Sequence, residues 1–401
     1  MGRYGAQGRP PRPVGARPRH RRPEVYRRRR VTVTLVAAAV LLSPLWLFGP
    51  SGGGSDDGAA PDGEAIEDAP PAEVADCAAD LTALEVRERL SLLLMVGVSG
   101  DDPGEVAELL GGASRPGGIF VRGGAELFES EALTTRSADG RPLLVALDDE
   151  GGRVQPLEDV LEPLPSARTM AEMSVADVEE LARQRGEDLV GLGVNAVFGP
   201  VVDVGGGAGI GDRSFGDTAE AVTAFAGAYA RGLRASGVLP VVKHFPGHGR
   251  ASADTHDAPS TTPGVDSLRA VELRPYEALL GDEPVGVMVG HLDVPGLTAE
   301  GVPASLSPDA VGLLRAAYDF DGLVVTDDLA AMDAVQSRFS TADAAERAIA
   351  AGVDLVLLSQ PTDVGAVLDR LVDAVEKGRV PLRRVDAALE RIVAAAGGCL
   401  A

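Results

Sequence analysis

From residue 92 to residue 359 the chain alternates between two textures. Short runs rich in Val, Leu and Ile recur as "LLLMVGV" (92–98), "GGIFVRG" (117–123), "PLLVALD" (142–148) and "VNAVFGPVVDV" (194–204). They continue as "LPVVKH" (239–244), "VGVMVGH" (285–291), "GLVVTD" (322–327) and "VDLVLLS" (353–359). Between them lie stretches of Ala, Leu, Glu and Arg with the spacing of helices that bury one face. "DAVGLLRAAYDF" is representative, and "VDAALERIVAAA" reads as the helix that closes the last unit. A strand apolar at nearly every position has both faces covered, as in a parallel sheet clad by helices. Eight such units in about 320 residues predict an α/β chain folded as one closed (β/α)8 TIM-type barrel rather than an open doubly wound sheet.

The polar side chains gather at one end of these runs. Asp148, Asp203, Lys243, His244, His291 and Asp327 each fall at or just past the C-terminal end of a predicted strand. In a (β/α)8 barrel that end carries the active site, because its loops converge on the axis. Charges at this depth are costly in an apolar core and cheap around a polar pocket.

The region before the barrel reads differently. Residues 1–30 hold eleven Arg and one Glu, a basic tail expected to stay in the cytoplasm. Residues 31–50, "VTVTLVAAAVLLSPLWLFGP", carry no charge and are long enough to cross about 30 Å of hydrocarbon. Two readings fit: a transmembrane signal anchor, favoured by the length of the run and by Trp46 near its outer end, or a cleaved signal peptide. Either puts the remainder outside the cytoplasm, membrane-bound in the first case and secreted in the second. Residues 51–76 are rich in Gly, Pro, Asp and Glu and read as a disordered linker.

The domain spans 77–401, bracketed by the chain's two cysteines, Cys77 and Cys399. Outside the cytoplasm these are expected to form a disulfide joining the ends of the domain; two separate buried thiols are the alternative. The net charge of −23 includes the basic tail; the other residues hold 26 basic and 59 acidic side chains. Such a body is no nucleic-acid partner.

Three of the five histidines lie within "KHFPGHGRASADTHD" (243–257). Metal binding by His244, His248, His256 and Asp254 is disfavoured: Pro and Gly break the helix that would align the first two, and Lys243 repels a cation. In "DTH", Asp254 can hold one ring nitrogen of His256 and leave the other for acid–base work. The Gly-, Ala- and Ser-rich surroundings suggest a mobile loop that brings His256 to a substrate. In "VVTDDL", strand alternation allows one of Asp327 and Asp328 into the pocket while the other faces a loop or caps a helix. "LDDEGGRVQ" (147–155) offers Asp148 before a Gly pair, and "GDRSFG" (211–216) offers Arg213. Such side chains bind sugar hydroxyls or a phosphate. No Walker-type loop is present, and nothing in the pattern demands a metal or other cofactor.

In this order along eight strands, "LDDEGGRVQ", "GDRSFG", "KHFPGHG…DTH" and "VVTDDL" resemble the glycoside hydrolase family 3 β-N-acetylglucosaminidases of the bacterial branch that consists of the barrel alone. The resemblance covers about residues 80–397 and implies a retaining exo-enzyme that removes terminal β-linked GlcNAc. It implies Asp327 as nucleophile, His256 as general acid/base with Asp254 as its partner, and Asp148, Arg213, Lys243 and His244 as sugar ligands. One departure stands out: relatives often place a basic residue after "GGRVQ", where this chain has Pro156. With the export reading, the expected substrate is peptidoglycan fragments. A phosphorylase of the same family and a non-catalytic cell-wall binding protein are the alternatives.

Overall fold

The computed structural model describes residues 81–397 apart from 82, 113, 131–142 and 282–284. The basic tail, the apolar segment 31–50, the linker and both cysteines lie outside the described residues. No helix among the described residues is long and apolar enough to cross a membrane.

Ten strands follow in chain order: β1 (Leu94–Val98), β2 (Gly118–Val121), β3 (Leu144–Leu147), β4 (Ala196–Val197) and β5 (Leu239–Phe245). Then come β6 (Ser260–Thr261), β7 (Gly286–Val289), β8 (Leu292–Asp293), β9 (Val324–Thr326) and β10 (Val356–Leu358). Eight of them pair in parallel in the order β10-β1-β2-β3-β4-β5-β7-β9. A parallel bridge between Val325 and Leu355 joins the two outer strands and closes the circle. Its hydrogen bonds run from Thr326 N–H to the Leu355 carbonyl (3.1 Å) and from Leu355 N–H to the Val324 carbonyl (3.1 Å). The predicted barrel is therefore formed, and each of the eight apolar runs supplies one of its strands.

Ile119, Val145, Val287, Val324 and Val356 are completely buried on the strands, as is Met95. Full burial of each is worth roughly 1.5–3 kcal/mol. The helices start on hydroxyl caps: Ser174, Thr218, Ser307 and Ser340 each accept a backbone N–H from the first turn.

Two boundaries differ from the sequence pattern, each for a local reason. The helix expected over "DAVGLLRAAYDF" spans Pro308–Ala317, since Asp319 adopts φ 48° and ends it in the left-handed region. The long run 194–204 pairs as a regular strand only at Ala196–Val197, because Pro200 has no N–H for the ladder. Pairing resumes as a single bridge from Val201 to Lys243.

The floor of the barrel is tied by one carboxylate. Asp354, wholly buried before β10, accepts from Arg315 (2.6 Å), Arg384 (2.6 Å) and the Val324 N–H (2.9 Å), with Arg391 at 3.5 Å. Removing it leaves guanidinium groups and a strand N–H without their acceptor. Asp354→Ala should lower unfolding stability by about 3 kcal/mol or more, read as a drop in the urea midpoint. Asp266→Ala, at a side chain 94% exposed, should change it by less than about 0.5 kcal/mol.

Candidate active site

One pocket opens at the C-terminal end of the barrel, with about 740 Å³ of empty space that is partly open to solvent. Asp148, Arg213, Lys243, His244, Asp254, His256 and Asp327 all line it. Of the six polar strand ends, Asp148, Lys243, His244 and Asp327 reach the pocket, whereas Asp203 and His291 are buried behind it.

Strand alternation would put Lys243 and His244 on opposite faces. Instead the β5–β7 register shifts between Val242 and Phe245, and this irregularity lets consecutive side chains line the same cavity. The Lys243–His244 and Phe245–Pro246 peptides are cis. The following "PGHG" turn packs against the Val204 backbone on one side and the Glu272 side chain on the other. A Cβ at Gly249 would sit 2.0 Å from the Val204 carbonyl oxygen, and one at Gly247 (φ 130°) would sit 2.4 Å from Glu272 Cβ.

Lys243 is almost fully buried, with Nζ 2.5 Å from Asp148 Oδ1 and 2.6 Å from Glu150 Oε1. Burial alone would lower its pKa, but the two carboxylates outweigh that and raise it. Glu150 also receives a bidentate fork from Arg213, at 2.6 and 2.8 Å. Burial would raise the Glu150 carboxyl, yet Lys243 and Arg213 hold it well below the usual range. Its neighbour Asp149 points away from the pocket into a buried fork with Arg185, at 2.5 and 2.8 Å.

His244 is aimed from behind. Its Nδ1 donates to Asp203 Oδ2 (2.7 Å), and Asp203 Oδ1 accepts the backbone N–H groups of His244 (3.3 Å) and His248 (2.6 Å). Ionised Asp203 can only accept, so Nδ1 of His244 carries a proton toward it and Nε2 is turned to the pocket, with Arg213 at 3.4 Å. Burial would raise the Asp203 pKa, and His244 together with the donated N–H groups lowers it.

At the end of β9 the adjacent aspartates divide their roles. Asp328 accepts from Ser359 N–H (3.0 Å), the Ser359 hydroxyl and Ala330 N–H (2.9 Å), tying β9 to β10. Its carbonyl accepts from Nε2 of His291 (2.9 Å), whose Nδ1 meets Ser305 (2.7 Å). Asp327 accepts a single hydrogen bond among the described residues, from Asp328 N–H (2.9 Å). Burial pushes the Asp327 carboxyl up, but His244, His291 and Lys243 prevail and bring it to about 2. It is an ionised oxygen pair facing the cavity.

Along the same pocket, Asp254 Oδ1 accepts both Nδ1–H (2.7 Å) and the backbone N–H (3.0 Å) of His256. The other ring nitrogen is left to the cavity mouth, where the side chain is 63% exposed. The loop also bonds to its surroundings. Thr255 and His256 carbonyls accept from Ala334 (3.2 Å) and Asp333 (3.3 Å), and its far end pairs as β6 with β8. Gly209, whose carbonyl is held by Arg153 (2.8 Å) and Arg213 (3.2 Å), abuts Asp254 so closely that a Cβ would lie 2.8 Å from its carboxyl. The histidines of "KHFPGHG…DTH" thus each face a separate partner and do not converge on one point.

Two features were not singled out in the sequence: Glu150 as the shared partner of Lys243 and Arg213, and Asp203 as the holder of His244. The third acid of "LDDEGG" was a signal for the first. The second had only its strand-end position.

Residues 104–395 match the model of the glycosyl hydrolase family 3 N-terminal domain. The chain belongs to glycosyl hydrolase family 3. It is 42% identical over 387 residues to a protein named beta-hexosaminidase LpqI from Mycobacterium tuberculosis, covering 92% of this chain and 98% of the relative. The structure of a family 3 member from Mycobacterium smegmatis superposes with TM-score 0.75 at 45% identity, over 80% of this chain and all of that one. A family 3 beta-N-acetylglucosaminidase from Paenibacillus superposes with TM-score 0.72 at 32% identity, over 79% of this chain and 64% of that one.

Asn at position 203 keeps the shape but must turn an NH2 toward one of three donors. Asp203→Asn should therefore lower kcat/KM for an aryl glycoside about 10–100-fold, the worth of hydrogen bonds to a charged group. A change under about twofold would show that His244 is oriented without this carboxylate.

Proposed function

We propose that this family 3 glycoside hydrolase is a retaining exo-β-N-acetylglucosaminidase acting on peptidoglycan fragments. The observation that carries the mechanism is an ionised, weakly engaged Asp327 on the same pocket as an exposed Asp254–His256 pair. Asp327 attacks the anomeric carbon while His256 protonates the departing oxygen, giving a glycosyl-Asp327 intermediate. Water, deprotonated by the same His256, then attacks that carbon and releases the sugar with its configuration retained. Asp254 holds Nδ1–H throughout, so the proton moves through Nε2.

Asp148, Lys243, His244 and Arg213 grip the hydroxyls of the terminal sugar. Their mutual ion pairs keep each head group in place before the sugar arrives, which reduces the ordering cost of binding. Pro156 removes a basic contact that the family resemblance leads one to expect. The preference for GlcNAc rests on the D-x-H motif and on the hexosaminidase and acetylglucosaminidase names of the relatives. The wall substrate and the extracytoplasmic location rest on residues 31–50, read as a signal anchor or signal peptide that sets the domain beside the cell wall.

Hydrolysis of aryl β-GlcNAc should exceed that of aryl β-glucoside, and phosphate should leave the product as free sugar. A sugar phosphate would instead establish the phosphorylase alternative, and absence of any turnover the binding-protein one. Asp327→Ala should abolish hydrolysis. His256→Ala should retain most activity on activated aryl glycosides and lose roughly 10²–10⁴-fold on poor leaving groups. Equal loss in both variants on the activated substrate would overturn these roles, as would a mechanism-based label mapped to Asp328.

The low pKa of Asp327 has its own consequence. With the carboxyl at about 2 instead of 3.8, lowering the pH from 5 to 3 leaves it ionised. The labelling rate by an activated fluoroglycoside should hold across that range while circular dichroism reports folded protein. A roughly tenfold fall centred near pH 4 would place the carboxyl at its ordinary value.

A further inference from the structure

His248 lies in the pocket wall, is buried, and is neither part of the Asp254–His256 pair nor paired with Lys243 and Glu150. Its backbone N–H is held by Asp203, the carboxylate that also aims His244. Its ring stands edge-on to that of His244, with centroids 5.7 Å apart. Nε2 meets Thr255 Oγ1 at 3.2 Å, and Nδ1 is buried with no hydrogen-bond partner among the described residues.

Thr255 is the middle residue of the D-T-H turn and the one whose side chain is buried. Through it, a continuous series of contacts runs from the His244 ring to Asp203, to His248 and into the turn bearing the Asp254–His256 pair. An orphaned buried ring nitrogen costs on the order of 1–3 kcal/mol. An apolar side chain would fill the space without that penalty, so the distinctive thing the imidazole provides is its bond to Thr255. Burial lowers the His248 pKa and leaves the ring neutral, suited to one hydroxyl partner and not to an ion pair.

We propose that His248 is a positioning residue that, through Thr255, sets the reach of His256 relative to the sugar held at His244. This rests on the acid/base reading of His256 and adds to it how the proton donor is placed. A role of this kind affects the step in which the departing oxygen needs a proton and spares the attack of Asp327. A merely structural role lowers stability and all substrates alike.

The test uses Thr255→Val, which keeps the volume and removes the hydroxyl, with His248→Phe and the double variant in the full chain. For each, kcat and KM are measured on β-GlcNAc aryl glycosides with good and poor leaving groups, beside the melting temperature. Thr255→Val and His248→Phe should each cut kcat on the poor leaving group about tenfold and on the good one less than about twofold. The double variant should lose no more than the worse single one. Equal losses across leaving groups, no loss, or fully additive losses would each overturn the proposal. If His248→Phe does not fold, the nearly isosteric Thr255→Val decides alone. His256→Ala serves as reference: if it shows no leaving-group dependence, the acid/base assignment falls and this role falls with it. If it does and Thr255→Val does not, the positioning role alone is wrong.

Discussion

Asp203 is a carboxylate with no exposure that accepts three N–H groups from one short turn, and much of the site hangs from it. A buried anion is tolerated only when its oxygens are satisfied, so the loop after β4 and the turn after β5 must come together. Once they do, the His244 ring has one tautomer and one direction, and the backbone of His248 is fixed. The two glycines of the turn allow this closeness, since side chains there would collide with Val204 and Glu272.

A second constraint is electrostatic. The chain carries a net charge of −23, yet the pocket wall gathers Lys243, Arg213 and His244 with Asp148 and Asp327, and Glu150 pairs with Lys243 and Arg213. Glu150 is spent on Lys243 and Arg213, and Asp328 on Ser359, whereas Asp327 accepts only the Asp328 N–H among the described residues. The cations keep it ionised in spite of burial. A carboxylate so held suits attack on an electron-poor carbon better than proton uptake. The exposed His256 imidazole lines the same pocket.

The composition of 247–258 suggested a mobile loop, and the segment also makes defined contacts. Arg250 bonds the buried Glu272, Ser252 N–H donates to the Thr261 carbonyl at 2.9 Å, and β6 pairs with β8. Gly, Ala and Ser are frequent both in mobile segments and where backbones pass close, and a sequence does not distinguish the two.

The barrel was legible because strands covered on both faces must be apolar throughout, and eight such runs leave few other folds. The pocket residues were legible because strand ends are where a barrel accommodates charge, and because "DTH" places its two partners within local reach. Alternation past β9 would admit only one of Asp327 and Asp328, yet both border the pocket; what separates them is that Asp328 is bonded to Ser359 on the neighbouring strand. Strand alternation alone would also separate Lys243 from His244; both reach the pocket because of a register shift between β5 and β7, which depends on the neighbouring strand. Partners distant in sequence were also out of reach. That Glu150 neutralises Lys243 and Arg213, that Asp203 aims His244, and that His248 grips Thr255 are decided by which loops meet above the barrel. The sequence by itself determined the strands and the chemistry at their ends; the tertiary structure decided which of those groups are spent on one another and which remain free to react, because pairing of buried charges depends on distances only the closed barrel sets.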